Sequence, residues 1–552
     1  MIGVRMLQRF PMFRFGCIAA TAFIFWAQSV QAQNPHSPCG GLLKPDASKS
    51  DRTFLGLKDC YNCHTNGFPT DGFGDRFGIM ANDKWILANE VKTWGDTDKH
   101  SQAYTSLLSE TGKKIGIGMG IGENAHRDKR CLACHTGFPI EDMDTDDEQI
   151  HGLIREAQYK TDIRLTTGVS CEGCHGKAGG TEGWLAAHTS KETWRFLEPA
   201  KKCEKGFYDV RSVTSRTRLC LSCHLGNAAQ GRVLTHDMYA AGHPPLPPFE
   251  IETFEGQMPK HWRHLSEKAE LRNEFLEKTE IEFRPDELQH TKSLLVAALI
   301  SRSESLRLTA DVADGAVSKQ IQTPQWPDFA QFDCYACHHD LRSESWRQNA
   351  QHSGRPGRPV LLPWPEVLSE LASIRIPGAD ESKRDGSAIR VAVLKSPFAD
   401  REALVSSARA AADEFDKLSM ALDAQEISVS EGKVLLERMA EIAATETLDY
   451  DSARQLVWAF IVVQNELRTS LTDGAVSPLI NDELASVKTM FVLSLKDGRL
   501  EDHQIPGATQ SRSVTAVDLK IVLPPIANYD AIAFQKAFQE LRRRNHNPAP
   551  LP

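Results

Sequence analysis

The 552-residue chain lacks any apolar run beyond residue 32 that is long enough to span a bilayer, which excludes a multi-span membrane protein. It also lacks a basic excess. Its 64 Lys and Arg stand against 73 Asp and Glu, a formal charge of −9, which argues against a nucleic-acid partner. Glycine and proline (37 and 28 residues) show no collagen-like or low-complexity bias. With 41% hydrophobic residues, the composition is that of a globular chain long enough for two to four domains. Cysteine is absent from everything that follows Cys337.

The N-terminus has the pattern of a secretory signal peptide. Arg5, Arg9 and Arg14 precede the apolar stretch Phe15–Ala27, and small residues around Ser29-Val-Gln-Ala32 suit cleavage after Ala32. Thirteen apolar residues are too few for a membrane anchor. The chain is therefore expected to be periplasmic or otherwise exported. Loss of residues 1–32 takes the formal charge to −12, which suits docking to a basic protein partner.

Ten of the 13 cysteines fall into five Cys-x-x-Cys-His motifs. They are Cys60/Cys63/His64, Cys131/Cys134/His135, Cys171/Cys174/His175, Cys220/Cys223/His224 and Cys334/Cys337/His338. Chance placement at this composition gives about 0.01 such motifs per chain, and the motif is the attachment signature of c-type haem. Two thiols bond the two vinyl groups on one porphyrin edge, and the next residue brings an imidazole to the iron. Structural zinc needs tetrahedral sets of four ligands. A thioredoxin-like pair would not recur five times, each time followed by histidine. Iron–sulfur sites use denser cysteine runs. The pattern thus implies five covalently attached haems. Of the other cysteines, Cys17 lies in the leader, and Cys39 and Cys203 could pair in an oxidising compartment.

Five of the 19 histidines serve as proximal ligands, which leaves ample supply for the opposite axial positions. His100, His188, His236, His243, His261 and His264 are candidates, imidazole being the common partner for such iron. Met238 is a possible methionine ligand.

Four segments resemble the tetrahaem cytochrome c-554 family, within the hydroxylamine oxidoreductase-like multihaem group. They are Trp94 through His100-Ser-Gln-Ala-Tyr-Thr-Ser-Leu107, Cys131-Leu-Ala-Cys-His-Thr-Gly-Phe138, Gly168-Val-Ser-Cys-Glu-Gly-Cys-His-Gly176, and Arg218-Leu-Cys-Leu-Ser-Cys-His-Leu225. The resemblance covers about residues 55–265. It implies that His188 is the distal ligand of the first haem and His100 that of the fourth. It gives the third haem His243 or His236, and it leaves the iron on His135 five-coordinate. The fifth motif has no counterpart in the family, and His236, His261 and His264 are the candidates for its distal ligand.

The expected fold is mainly α. A loop-rich pentahaem cytochrome c region covers 33–352, where porphyrin replaces side-chain core. A proline-rich connector covers 353–378, and a haem-free helical region covers 379–552. Apolar stripes predict helix over 262–310, with further helices over 431–445, 452–467 and 529–543 and another started by Asp400. The sequence points to electron transfer between redox partner proteins through closely packed, mostly bis-histidine haems. The alternative is an oxidoreductase acting on a small nitrogen or sulfur compound at one five-coordinate haem. The Cys-x-x-Cys-Lys variant of pentahaem nitrite reductases is absent, and the five motifs fall short of the eight of hydroxylamine oxidoreductase, which favours the carrier.

Overall fold

The computed structural model describes residues 54–65, 87–137, 167–181, 183–188, 193–262, 276–277, 283–284, 286–315, 326–334, 358–376, 386–470, 495–496, 499–500 and 529–546. The signal peptide, Cys17, Cys39, His264, Cys337 and His338 lie outside them. The described residues are mainly helical. Their one strand pair, β1 (Leu495–Lys496) and β2 (Arg499–Leu500), is two residues long on each side and antiparallel.

The N-terminal part is built from short helices: α1 (Lys58–His64), α2 (Glu90–Thr97), α3 (Ala103–Ser106), α4 (Glu110–Gly118), α5 (Lys129–His135), α6 (Cys171–His175), α7 (Trp184–His188), α8 (Thr193–Phe196), α9 (Pro199–Glu204), α10 (Val213–His224), α11 (His236–Ala240) and α12 (Ile251–Gln257). Helices this short do not stand alone in water and depend on caps and tertiary contacts. Asp128 caps α5 by accepting from the Arg130 N–H, and Glu250 caps α12 through the Glu252 and Thr253 N–H groups.

Each of the first four motifs ends a helix. α1, α5, α6 and α10 all stop at the motif histidine. Helical geometry puts the two cysteines, three residues apart, on one face, with the histidine just beyond them. Cys60 and Cys63 stand in this way on α1, with Cys63 the last residue before His64. After His175 the chain turns sharply at Gly176, whose φ is 82°. A Cβ there would meet the Gly206 carbonyl oxygen at 2.3 Å, so only glycine fits.

The C-terminal part is a bundle of longer helices: α13 (Gln289–Asp314), α14 (Trp364–Ser373), α15 (Ser387–Lys395), α16 (Arg401–Asp423), α17 (Val429–Thr445), α18 (Tyr450–Ser470) and α19 (Ala531–His546). Asp400 caps α16, and Ser428 with Glu431 forms a reciprocal capping box on α17. α13 is the central element, with 19 of its residues buried. Its Leu294, Leu295 and Leu299 share one core with Leu404, Phe415, Leu456, Phe460, Phe534 and Phe538. Each such side chain contributes about 1.5–3 kcal/mol on burial.

Of the stretch 262–310, the described residues Leu276 and Glu277 are helical, 283–284 and 286–288 are not, and α13 begins at Gln289. Within the proline-rich stretch 353–378, α14 is a packed helix with Trp364, Leu368 and Leu371 buried. Among the described residues, no helix is long and apolar enough to cross a membrane.

The two parts share a boundary core. Leu221 and Leu225, at the fourth motif, pack with Phe249, Ile251, Ala297, Ile300, Leu308 and Trp364. Asp416 of α16 receives Arg218 of α10 at 2.8 Å and Arg307 of α13 at 2.6 Å. The Gln455 side-chain N–H donates to the Phe249 carbonyl at 2.8 Å. The helical bundle thus supports the helix that carries Cys220, Cys223 and His224.

Candidate haem-binding site

The third motif organises its neighbours. Glu172, between Cys171 and Cys174, is buried, and its carboxylate accepts from the Leu55 (3.1 Å), Gly56 (2.6 Å) and Ala178 (2.8 Å) N–H groups. It thereby ties the lead-in to the first motif onto the third. Trp184 Nε1 donates to the Gly176 carbonyl at 2.9 Å and fixes α7 on the same motif. Trp184 and Trp194 stack on each other and pack edge to face on His188, and Phe207 packs edge to face on both tryptophans.

This scaffold sets His188 opposite His64, with ring centroids 6.1 Å apart and planes 17° apart. A second pair has the same spacing: His100 and His224 have centroids 6.2 Å apart and planes at 90°. His100 is held by Asp98, which accepts from both its backbone N–H and Nδ1 at 2.9 Å. The Val169 N–H donates to the His100 carbonyl at 3.0 Å, and Trp94 Nε1 donates to the Val169 carbonyl at 3.0 Å.

Both spacings fit a metal between two imidazoles. Nitrogens at about 2 Å on either side of an ion put ring centroids about 6.3 Å apart. Among the described residues, no group of three or more His, Cys, Asp or Glu is arranged to hold an ion by itself. Two facing imidazoles would supply two nitrogen donors of the kind that haem iron takes.

The ring nitrogens support the same chemistry. His64 Nδ1 bonds Glu90 at 2.8 Å, His100 Nδ1 bonds Asp98, and His135 Nδ1 bonds the Ala103 carbonyl at 2.8 Å. A carboxylate or carbonyl oxygen only accepts, so Nδ1 carries the hydrogen and Nε2 is left for a metal. Burial pushes His175, His188, His224 and His243 down to about 4, which keeps each neutral at pH 7 with one lone-pair nitrogen. Within the described residues, the buried Nδ1 atoms of His175 and His188 have no protein partner.

The described motif cysteines are all unpaired thiols: Cys60, Cys63, Cys131, Cys134, Cys171, Cys174, Cys220 and Cys223 are half-buried, and Cys334 is exposed. None of them is spent on a disulfide, so each keeps the sulfur that thioether attachment needs. They also show which motifs are neighbours. Cys60 lies beside Cys171, and Cys134 beside Cys223. Cys174 lies near Cys223; burial, then Asp98 and Cys223, push its thiol up to about 12. In space the motifs therefore run first, third, fourth, second, which differs from their order in the chain.

Cys334 of the fifth motif lies beside α11, where burial, then Cys334, raises Tyr239. The His236 N–H donates to Asp328 at 3.2 Å, and its ring packs edge to face on Phe329 at 5.5 Å. Cys203 is disulfide-bonded, and its expected partner Cys39 lies outside the described residues. Sequence reasoning gave no role to Glu90, Asp98 or Glu172. For Asp98 and Glu172 the available signal was a carboxylate two residues from a histidine or inside a motif, whereas Glu90 lies 26 residues from His64 and carries no local signal.

Residues 88–176 match the family model described as cytochrome c554 and c-prime. No curated protein and no solved structure is found similar to the chain. The match covers Trp94 to His100 and the second and third motifs. It supports a c-type cytochrome with covalently bound haem c and a role in electron transfer with redox partner proteins.

Proposed function

From the premise that the chain is similar to c-type cytochromes of the c554 and c-prime family, we propose that it is an exported pentahaem electron carrier with mostly bis-histidine iron. The single observation that carries this reading is the pair of facing imidazole couples, His64 with His188 and His224 with His100, at 6.1 and 6.2 Å. Covalently held haem supplies a one-electron iron couple at each motif.

The chain's own residues do the rest. Cys60 and Cys63, Cys131 and Cys134, Cys171 and Cys174, Cys220 and Cys223, and Cys334 and Cys337 anchor the groups, and His64, His135, His175, His224 and His338 are the proximal ligands. Glu90 and Asp98 orient proximal and distal imidazoles and raise their basicity. The Trp184, Trp194 and Phe207 cluster excludes water from His188. The close contacts among the first four motifs give short steps between sites. His236 is the candidate distal ligand of the fifth motif, because Asp328 and Phe329 hold it just ahead of Cys334.

A reductive titration of the haem-loaded protein tests the reading. Five one-electron steps, reoxidation by a basic protein acceptor, and no turnover of hydroxylamine, nitric oxide or nitrite are expected. Steady turnover of any of those substrates would favour the oxidoreductase alternative.

A further inference from the structure

We propose that His243 is the second axial ligand of the haem carried by Cys131, Cys134 and His135, so that the iron left open by the family resemblance is closed in this chain. The inference rests on the haem attachment proposed above, and it departs from the resemblance, which gives His243 or His236 to the third motif.

The two rings are prepared alike. His135 Nδ1 is tied to the Ala103 carbonyl at 2.8 Å, and His243 Nδ1 is tied to the Pro244 carbonyl at 2.8 Å. Both acceptors fix the hydrogen on Nδ1 and leave Nε2 with its lone pair. His64 and His100, one from each facing pair, are anchored through Nδ1 in the same way.

The packing brings His243 to the second motif. The turn after α11 lies against α4: a Cβ on Gly118 would come 2.9 Å from the Ala241 Cβ. α4 leads through the turn at Ala125–Arg127 into α5, which ends on His135. Arg232 Nε donates to the Ala133 carbonyl at 2.9 Å, clamping the approach to α11 onto the same motif. Pro244 fixes the chain just after His243, and the Tyr239 ring packs edge to face on the His243 ring at 6.2 Å.

Ferric electron paramagnetic resonance of the haem-loaded full chain tests the assignment, with haem number read from intact mass of the same samples. Wild type is expected to show no high-spin iron. His243→Ala is expected to show one high-spin iron per chain, returned to low spin by added imidazole. Rescue by imidazole separates a missing ligand from a folding defect. His243→Met, which keeps a ligand of similar reach, is expected to stay low-spin with one haem at raised potential. A wild-type high-spin signal that persists unchanged in His243→Ala would overturn the proposal, as would an entirely low-spin His243→Ala. A chain without covalent haem would defeat the electron-carrier reading itself, whereas five haems with unaltered spin states would defeat only the role of His243.

Discussion

Glu90 Oε2 accepts a hydrogen bond from Nδ1 of His64 at 2.8 Å. Burial works against the imidazolium, but the Glu90 carboxylate outweighs it and holds His64 above its ordinary range. Were Nε2 to hold a haem iron, the same carboxylate would make the imidazole a stronger donor and favour the ferric state. Glu90→Gln keeps the shape and removes the charge. The potential of the first haem is expected to rise by about 40 mV, the equivalent of a hydrogen bond worth about 1 kcal/mol. Spectroelectrochemistry reads the shift, and an unchanged set of potentials would contradict it.

His188 and His100 each stand opposite a motif histidine. His188→Ala and His100→Ala are each expected to convert one low-spin haem to high spin. Magnetic circular dichroism counts the conversions. Spectra identical to wild type would refute the pairs.

Gly168 has φ of 68°, and a Cβ there would lie 2.4 Å from the His100 carbonyl oxygen and 3.1 Å from the Ala103 nitrogen. Gly168→Ala therefore strains the backbone and pushes on the segment that holds His100. A cost of about 1–3 kcal/mol is expected, with partial high-spin character at the fourth haem. Full retention of both stability and spin state would show that the segment yields freely.

Glu250 is buried, and desolvation raises its carboxyl to about 7 while it caps α12. A raised folded-state value means that the folded chain keeps the proton while the unfolded chain releases it. This contribution to stability is full below about pH 4 and is lost as pH rises to about 7. Relative to wild type, Glu250→Gln is expected to gain stability between pH 5 and pH 8, by on the order of 2 kcal/mol. Thermal melts followed by circular dichroism measure the difference, and a gap independent of pH would contradict it.

Much of the architecture was legible in the sequence. Asp400 and the apolar periods over 431–445 and 452–467 announced helices α16 to α18, because caps and apolar period are local signals. The packing of α14 was hidden by Pro359, Pro363 and Pro365, which marked the stretch as a connector although Pro363 and Pro365 stand at the helix start, where proline is tolerated. The motif cysteines and histidines stood out because attachment chemistry fixes their spacing. That spacing does not distinguish Cys60 from Cys63, and the contact of Cys60 with Cys171 is a tertiary one. The facing of His64 on His188 was not local either, since it depends on Glu172 and Trp184 joining three segments of the chain. The resemblance pointed to His188 and His100, and those two imidazoles lie opposite His64 and His224. For the second motif it pointed to an open iron, whereas the lock on His243 comes from Pro244 and Ala241, which no motif includes.

The intact mass of the exported, haem-loaded chain tests the central claim most directly. The account predicts the mass of the polypeptide after loss of residues 1–32 plus five haem groups, retained under denaturing conditions because each is held by thioether bonds. A mass with fewer than five haems, or haem lost on denaturation, would contradict it.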